Sequence, residues 1–279
     1  MKSSDVEKML NTTKQEVYNK IFIPSAGRDL LFHNISTGSA KTLARLGLYS
    51  TFDLDNEILK LNLFDNLLVE GQGDVPAADN LLQIDYLSFI IGIRKMLKND
   101  LSFNCTCQNC DKQFTDKVNL DSHFSQLIYE FKPENYFFEK IDENDRIWRF
   151  ELSNYNMRNY LYFRYMVETL KEYDPQNPDL TNENKFIKPI LYIKNIWIDE
   201  EPIEDWGDKI LTNKLKFFNS IPASITINNL SNEMYLSKFI EEHFIEERLQ
   251  SAIDDLKVVC PYCKETYNNV YTFEDFFTF

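Results

Sequence analysis

Apolar positions recur at helical spacing in some stretches of this chain and alternate every second residue in others, and the two periods divide it into elements. Ser4 to Lys20 reads as a weakly amphipathic helix with Val6, Met9 and Val17 on its apolar side. In "IFIPSAGRDLLFHNIS", Pro24 and Gly27 bracket a turn between apolar flanks. Two helices are predicted next, Ser39 to Leu46 and Asp55 to Leu68, and the glycines and proline of "EGQGDVPAADN" mark a loop. From Leu81 to Lys98 apolar residues fall on nearly every side (Leu82, Ile84, Leu87, Phe89, Ile90, Ile91, Ile93, Leu97). That pattern predicts a helix buried in a core, with Asn80 as its cap.

Further on, "YFFEKIDENDRIWRFELS" places two aromatic-rich runs around Asp142–Asp145, which predicts a β-hairpin. "NMRNYLYFRYMVETLKEY" returns to helical spacing, and "DPQNPDLTNEN" is loop. A helix from Phe186 to Lys194, a short strand in "IWIDEEPI" and a helix from Asp208 to Phe218 follow. Ser231 then caps a longer helix running through Ala252. No repeat of 20 to 50 residues and no low-complexity tract is present. The fold class read from this order is α+β, mainly helical.

Composition narrows the function classes. The chain has 279 residues, 43% of them apolar and 27% charged, ordinary for a soluble globular protein. Only seven glycines argue against a glycine-loop nucleotide binder. The formal net charge of −14, without a dense basic run, disfavours nucleic acid as a partner. The opening "MKSSDVEKMLNTTKQEVYNKIF" lacks the apolar segment of a signal peptide. The stretch Leu81 to Leu97 is too short, and too interrupted by Asp85 and Arg94, to span a bilayer comfortably. A soluble protein made in a cytoplasm is the expectation, and no membrane partner is expected.

In a reducing compartment, tight cysteine clusters read as metal ligands before disulfides. There are five cysteines. Cys107-Gln-Asn-Cys110 is followed by Asp-Lys-Gln-Phe114, and Cys260-Pro-Tyr-Cys263 by Lys-Glu-Thr-Tyr267. Both are C-x-x-C with an aromatic residue four positions beyond, flanked by alternating segments. Two such knuckles, each at the tip of a hairpin, build a zinc ribbon with Cys107, Cys110, Cys260 and Cys263 as ligands. A closed four-thiolate shell has no open position for substrate, so the zinc is structural. Between the knuckles lie 259 − 110 = 149 residues. Closing a loop of that length removes roughly 4–5 kcal/mol of unfolded-state entropy, by analogy with disulfides.

The expected organisation is thus a single domain, 1–279, with ribbon halves at 101–118 and 256–273 and residues 119–255 inserted between them. Cys105 shares a strand face with Cys107 and Phe103, placing it as a packing residue or a competing ligand. Buried thiols without metal are the plain alternative, and a redox C-x-x-C lacks its βαβ setting.

Other candidates carry less. His33, His123 and His243 stand alone in the sequence, and Ser25 and Ser36 lack a nucleophile-elbow context. The acidic runs Asp142, Glu143, Asp145 and Asp199, Glu200, Glu201, Glu204, Asp205 read as solvated turns. Asp85 and Arg94 either pair with other elements or a partner, or lie exposed on the rim of the helix. The terminal "EDFFTF" either docks on the core or inserts into another subunit. No catalytic constellation is found, and the chain is read as no enzyme.

The order of several segments resembles the T4-type phage baseplate family, the small hub proteins and hub-assembly factors of contractile-tailed phages. The likeness lies in "IPSAGRDLLF", in "LLQIDYLSFIIGIRKML" leading into the first knuckle, in "IKNIWIDEEPIED", in "SKFIEEHFIEERLQSAIDDL", in "CPYC" and in "FEDFF". Together these cover about half of the chain, at its two ends. Cys107, Cys110, Cys260 and Cys263 match the family's zinc-ribbon positions. Cys105 is extra, Asp111 and Lys264 replace the usual glycine after each knuckle, and Leu120 to Pro189 has no counterpart. The resemblance implies a non-enzymatic virion component of the baseplate hub that binds other baseplate or tail proteins, in several copies of a symmetric assembly. An assembly chaperone absent from the virion is the alternative, and a zinc-ribbon nucleic-acid regulator a second one.

Overall fold

The computed structural model describes residues 18–36, 54–173, 188–203, 206, 211–226, 234–248 and 257–268. Over these the chain mixes helix with antiparallel sheet, an α+β fold. The expected helix at Ser39–Leu46, most of the one at Ser4–Lys20, and "EDFFTF" lie outside the described residues.

Asn19 and Lys20 belong to a strand, not to the end of a helix. β1 (Asn19–Ile23) and β2 (Arg28–Phe32) pair across "PSAG", where Gly27 takes a φ of 61° that a side chain would oppose. Ile21, Ile23, Leu30 and Phe32 face inward from this hairpin. They meet α1 (Leu54–Leu67) and α2 (Gln83–Leu97), with the rings of Phe32, Phe64 and Phe89 5.1–5.4 Å apart. A Cβ on Gly92 would lie 2.7 Å from three side-chain carbons of Ile21, so only glycine lets α2 close on β1 here.

The cap of α2 differs from expectation. Asn80 sits in a 3-10 turn (Ala78–Asn80), and the cap position is Leu82, whose side chain has nothing to offer. Asp85 serves instead: its buried carboxylate accepts the Leu82 N–H at 3.0 Å and the Ser25 N–H at 2.8 Å. Desolvation raises its pKa against these bonds. Arg94 likewise finds its partner inside the chain, donating to the Lys98 carbonyl at 2.8 Å.

β3 (Asp100–Thr106) and β4 (Gln113–Asn119) form the next hairpin, and α3 (Leu120–Tyr129) packs Leu120, Phe124 and Ile128 into the same first core. The second core lies under a four-stranded antiparallel sheet in the order β5 (Tyr136–Ile141), β6 (Ile147–Leu152), β7 (Ile193–Ile198), β8 (Glu201–Pro202). α4 (Met157–Tyr173) serves both cores, giving Met157 and Leu161 to the first and Phe163, Met166 and Val167 to the second. The backbone joins them where Gln83 N–H donates to Tyr155 O at 3.1 Å and Met157 N–H to Leu81 O at 2.8 Å.

Three predicted elements change here. The helix expected at Phe186–Lys194 is only a 3-10 turn, Lys188–Leu191, before β7 begins, because Ile193 and Ile196 are buried under the sheet in pairing with β6. "IWIDEEPI" is not one strand but a hairpin, reversing at Asp199 and Glu200 with φ of 51° and 69°. The long helix expected from Ser231 to Ala252 is interrupted in its described part. α7 (Leu236–His243), after α5 (Leu211–Phe218) and the single turn α6 (Ala223–Thr226), breaks at Phe244, which has ψ of 124°, before one more helical turn at 245–248. Ser231 and 249–252 lie outside the described residues. At that break Phe244, Ile245 and Glu246 are buried in succession, Phe244 in the second core and Ile245 in the first. No helix among the described residues is long and apolar enough to cross a membrane.

Candidate metal centre

The last hairpin, β9 (Lys257–Val259) and β10 (Thr266–Asn268), repeats the β3–β4 hairpin residue by residue at its tip. Cys107 N–H donates to Lys112 O at 3.0 Å and Asp111 N–H to Cys107 O at 2.9 Å. Cys260 N–H donates to Glu265 O at 2.9 Å and Lys264 N–H to Cys260 O at 3.0 Å. Each turn needs a left-handed residue after its second cysteine, and Asp111 (φ 55°) and Lys264 (φ 64°) adopt it without being glycine.

The two tips bring their four thiols together. Cys107 Sγ lies 3.5 Å from Cys263 Sγ, and Cys110 Sγ 3.7 Å from Cys260 Sγ, with all four sulfurs within 4.8 Å of one another. A tetrahedral ion with metal–sulfur bonds of about 2.3 Å sets its sulfurs about 3.8 Å apart, so the spacing fits. Cys107 and Cys260 are buried, while Cys110 and Cys263 are half-buried. All four residues expected as ligands are therefore in one place. The set is compatible with a bound metal, and all-thiolate ligation suits zinc or iron.

Backbone donors support the thiolates. Burial opposes ionisation of Cys260, but the N–H groups of Cys263 and Tyr262 and the thiols of Cys107 and Cys263 outweigh it, holding its pKa at about 6. Cys110 goes the other way: the Lys112 N–H favours its thiolate, yet burial and the neighbouring sulfurs push its pKa to about 12. A metal ion held by these thiols would bind them as thiolates, so its binding would release protons. Closed by four ligands, such an ion supplies cross-linking and no reactive position.

Cys105 takes no part in the cluster. Its register partner is Phe114, and in the second hairpin the corresponding pair is Val258 and Tyr267. A valine holds the place of Cys105, and both side chains are buried in the first core. Packing is its role. Of the histidines, His33 packs edge-on to Tyr18 and His243 stacks on Phe239 at 3.8 Å between ring centres, while the side chain of His123 lies outside the described residues.

Two further polar sites had no clear sequence signal. Asp142 is not a solvated turn residue but a buried one. Burial opposes its charge, but bonds from Trp148 Nε1 at 3.0 Å, the N–H groups of Arg146 and Asn144, and Arg146 Nε at 2.9 Å outweigh it and hold its pKa at about 2. Glu246, 2% exposed, lies where the two cores meet. Asn154 Nδ2 donates to both its oxygens at 2.8 and 3.0 Å, Tyr192 O–H donates to neighbouring Glu247 at 2.6 Å, and Lys188 pairs with Glu247. A cavity of about 420 Å³, lined in part by Asn154, Tyr136, His243 and Arg248, opens beside this seam. Comparison with protein-family models, with curated proteins and with solved structures finds no match to the chain, so its functional reading rests on these residues.

Proposed function

We propose that the chain is a non-enzymatic structural protein clasped by a zinc ion, acting through protein–protein contacts in the hub region of a contractile-tailed phage baseplate. One observation carries the clasp: two matching knuckles, separated by 149 residues, deliver four thiols to one point at tetrahedral spacing. Zinc is the ion named because a closed thiolate shell suits a redox-inert ion that binds more tightly than iron(II) in such sites. The baseplate assignment is supported by the sequence resemblance around the two knuckles. The acidic composition supports protein partners over nucleic acid.

Elemental mass spectrometry of the purified protein beside Cys260→Ser tests the clasp. One zinc per chain, lost with cooperative unfolding in the variant, is the expected result. A metal-free wild type of equal stability overturns it. Mass spectrometry of purified virions tests the assignment: stoichiometric presence with hub proteins supports a subunit, and presence only in cross-links to tail proteins before assembly supports a chaperone. Absence of both overturns the baseplate reading.

A further inference from the structure

Strand β5 forms one edge of the four-stranded sheet, and the ladder tells which of its backbone groups are left over. Asp142 N–H donates to Arg146 O across the turn at 3.0 Å. Ile147 bonds in the opposite direction, its carbonyl accepting Asp199 N–H at 2.9 Å and its N–H donating to Asp199 Oδ1 at 2.8 Å. Antiparallel bonds alternate sides along a strand. Tyr136, Phe138 and Lys140 therefore bond to β6, and the N–H and C=O groups of Phe137, Glu139 and Ile141 point out of the sheet edge. Among the described residues none bonds to them. The side chains of these three lie on the open face, with Phe137 51% and Ile141 58% exposed. The strand has six residues and neither proline nor bulge.

We propose that β5 is a dimerisation edge, pairing antiparallel with the β5 of a second copy into one eight-stranded sheet. Outward groups must meet outward groups, which places the two-fold axis at Glu139. Phe137 then opposes Ile141 of the second copy, and all the outward groups of both strands are used. A slip of two residues wastes a third of them and separates the apolar pair. Glu139 faces its own copy, but each also faces Arg149 on β6, so the row reads Arg–Glu–Glu–Arg and is neutral. Arg149 is held for this place between the rings of Phe137 at 4.8 Å and Trp197 at 5.7 Å.

A second copy is the occupant because one sequence supplies both apolar flanks and both neutralising arginines, an isologous contact. The pairing also ends at two. The opposite edge, β8, has only two residues, one of them Pro202, and cannot extend the sheet. A strand of this length runs about 20 Å and buries less than the ~1,200 Å² of firm complexes, so association depends on concentration.

Sedimentation velocity on the full chain, from micromolar to near-millimolar concentration, tests this beside Glu139→Pro and Ile141→Lys. The proline removes only an outward N–H, which an edge strand tolerates. The wild type is expected to move from monomer to twice its mass, Glu139→Pro to stay monomeric with an unchanged circular dichroism spectrum, and Ile141→Lys to dimerise at least tenfold more weakly. A wild type that stays monomeric throughout overturns the proposal. So does a folded Glu139→Pro, or an Ile141→Lys, that dimerises as well as the wild type; should Glu139→Pro fail to fold, Ile141→Lys decides alone.

Discussion

Replacing Glu246 by glutamine should stabilise the protein relative to the wild type progressively as pH rises from mild acid to neutral. Burial raises the pKa of this carboxyl from an ordinary 4.5 to about 7, the bonds from Asn154 notwithstanding, and the nearby charge of Glu247 adds to the rise while Lys188 opposes it. Between those two values the folded chain holds a proton that the unfolded chain has lost. Stability from this group is therefore complete below about pH 4.5, falls as pH rises, and levels off above about pH 7. At about 1.4 kcal/mol per pH unit, the span from 4.5 to about 7 amounts to about 3 kcal/mol. Glutamine keeps the shape of the protonated acid and does not titrate; its amide nitrogen cannot accept the second Asn154 bond, a loss of about 1 kcal/mol that is the same at every pH. Urea unfolding followed by circular dichroism, at steps from about pH 5 to about pH 8 with metal kept saturating, reads the difference between variant and wild type. That difference should move by about 3 kcal/mol in favour of the variant across the range. Parallel curves across the range would refute the reasoning, since Glu246 would then be hydrated and the seam between the cores open to water.

Gly92→Ala should destabilise by about 1–3 kcal/mol through the clash with Ile21, although helix propensity alone favours alanine by about 1 kcal/mol; the urea midpoint decides between them. Cys105→Val should leave the metal content unchanged and stability within about 1.5 kcal/mol, because Val258 fills the matching place, and elemental analysis with thermal melting checks both. The low folded-state pKa of Asp142 means that its contribution is present above the ordinary 3.8 and lost as pH falls through about 2. An acid titration of stability should therefore be shallower in Asp142→Asn than in the wild type over that window.

Legibility from sequence followed how local the cause was. The knuckles could be read because C-x-x-C spacing and the aromatic residue four positions on are short-range features, and all four thiols meet. The hairpin of "YFFEKIDENDRIWRFELS" was equally local, its strands and turn lying within one stretch. Where the cause was tertiary, the reading failed. Nothing in "SKFIEEHFIEERL" announces that Phe244 leaves the helix to pack against Tyr192, 4.4 Å away between ring centres, or that Glu246 goes inside rather than onto a solvated face. Lys188 to Lys194 has apolar residues a helix could use, but β6 supplies a pairing partner first. Asn80 is a good cap by type, yet the Asp85 carboxylate already reaches both the helix start and the β1–β2 turn. β1 was missed because Asn19 and Lys20 continue a polar run.

The distance between the knuckles also sets a schedule. Chains emerge from the ribosome at about 5–20 residues per second, so Cys107 and Cys110 wait about 8–30 s for Cys260 and Cys263 to be made. During that interval the nascent chain offers only a two-thiol half-site. The first core is short of Ile245 and Val258 for the same reason, since both come late. Closing the proposed clasp and completing that core therefore both wait until the 149 intervening residues have been made. A chain that stops before residue 260 carries one knuckle and only two of the four clustered thiols, and so cannot assemble the site.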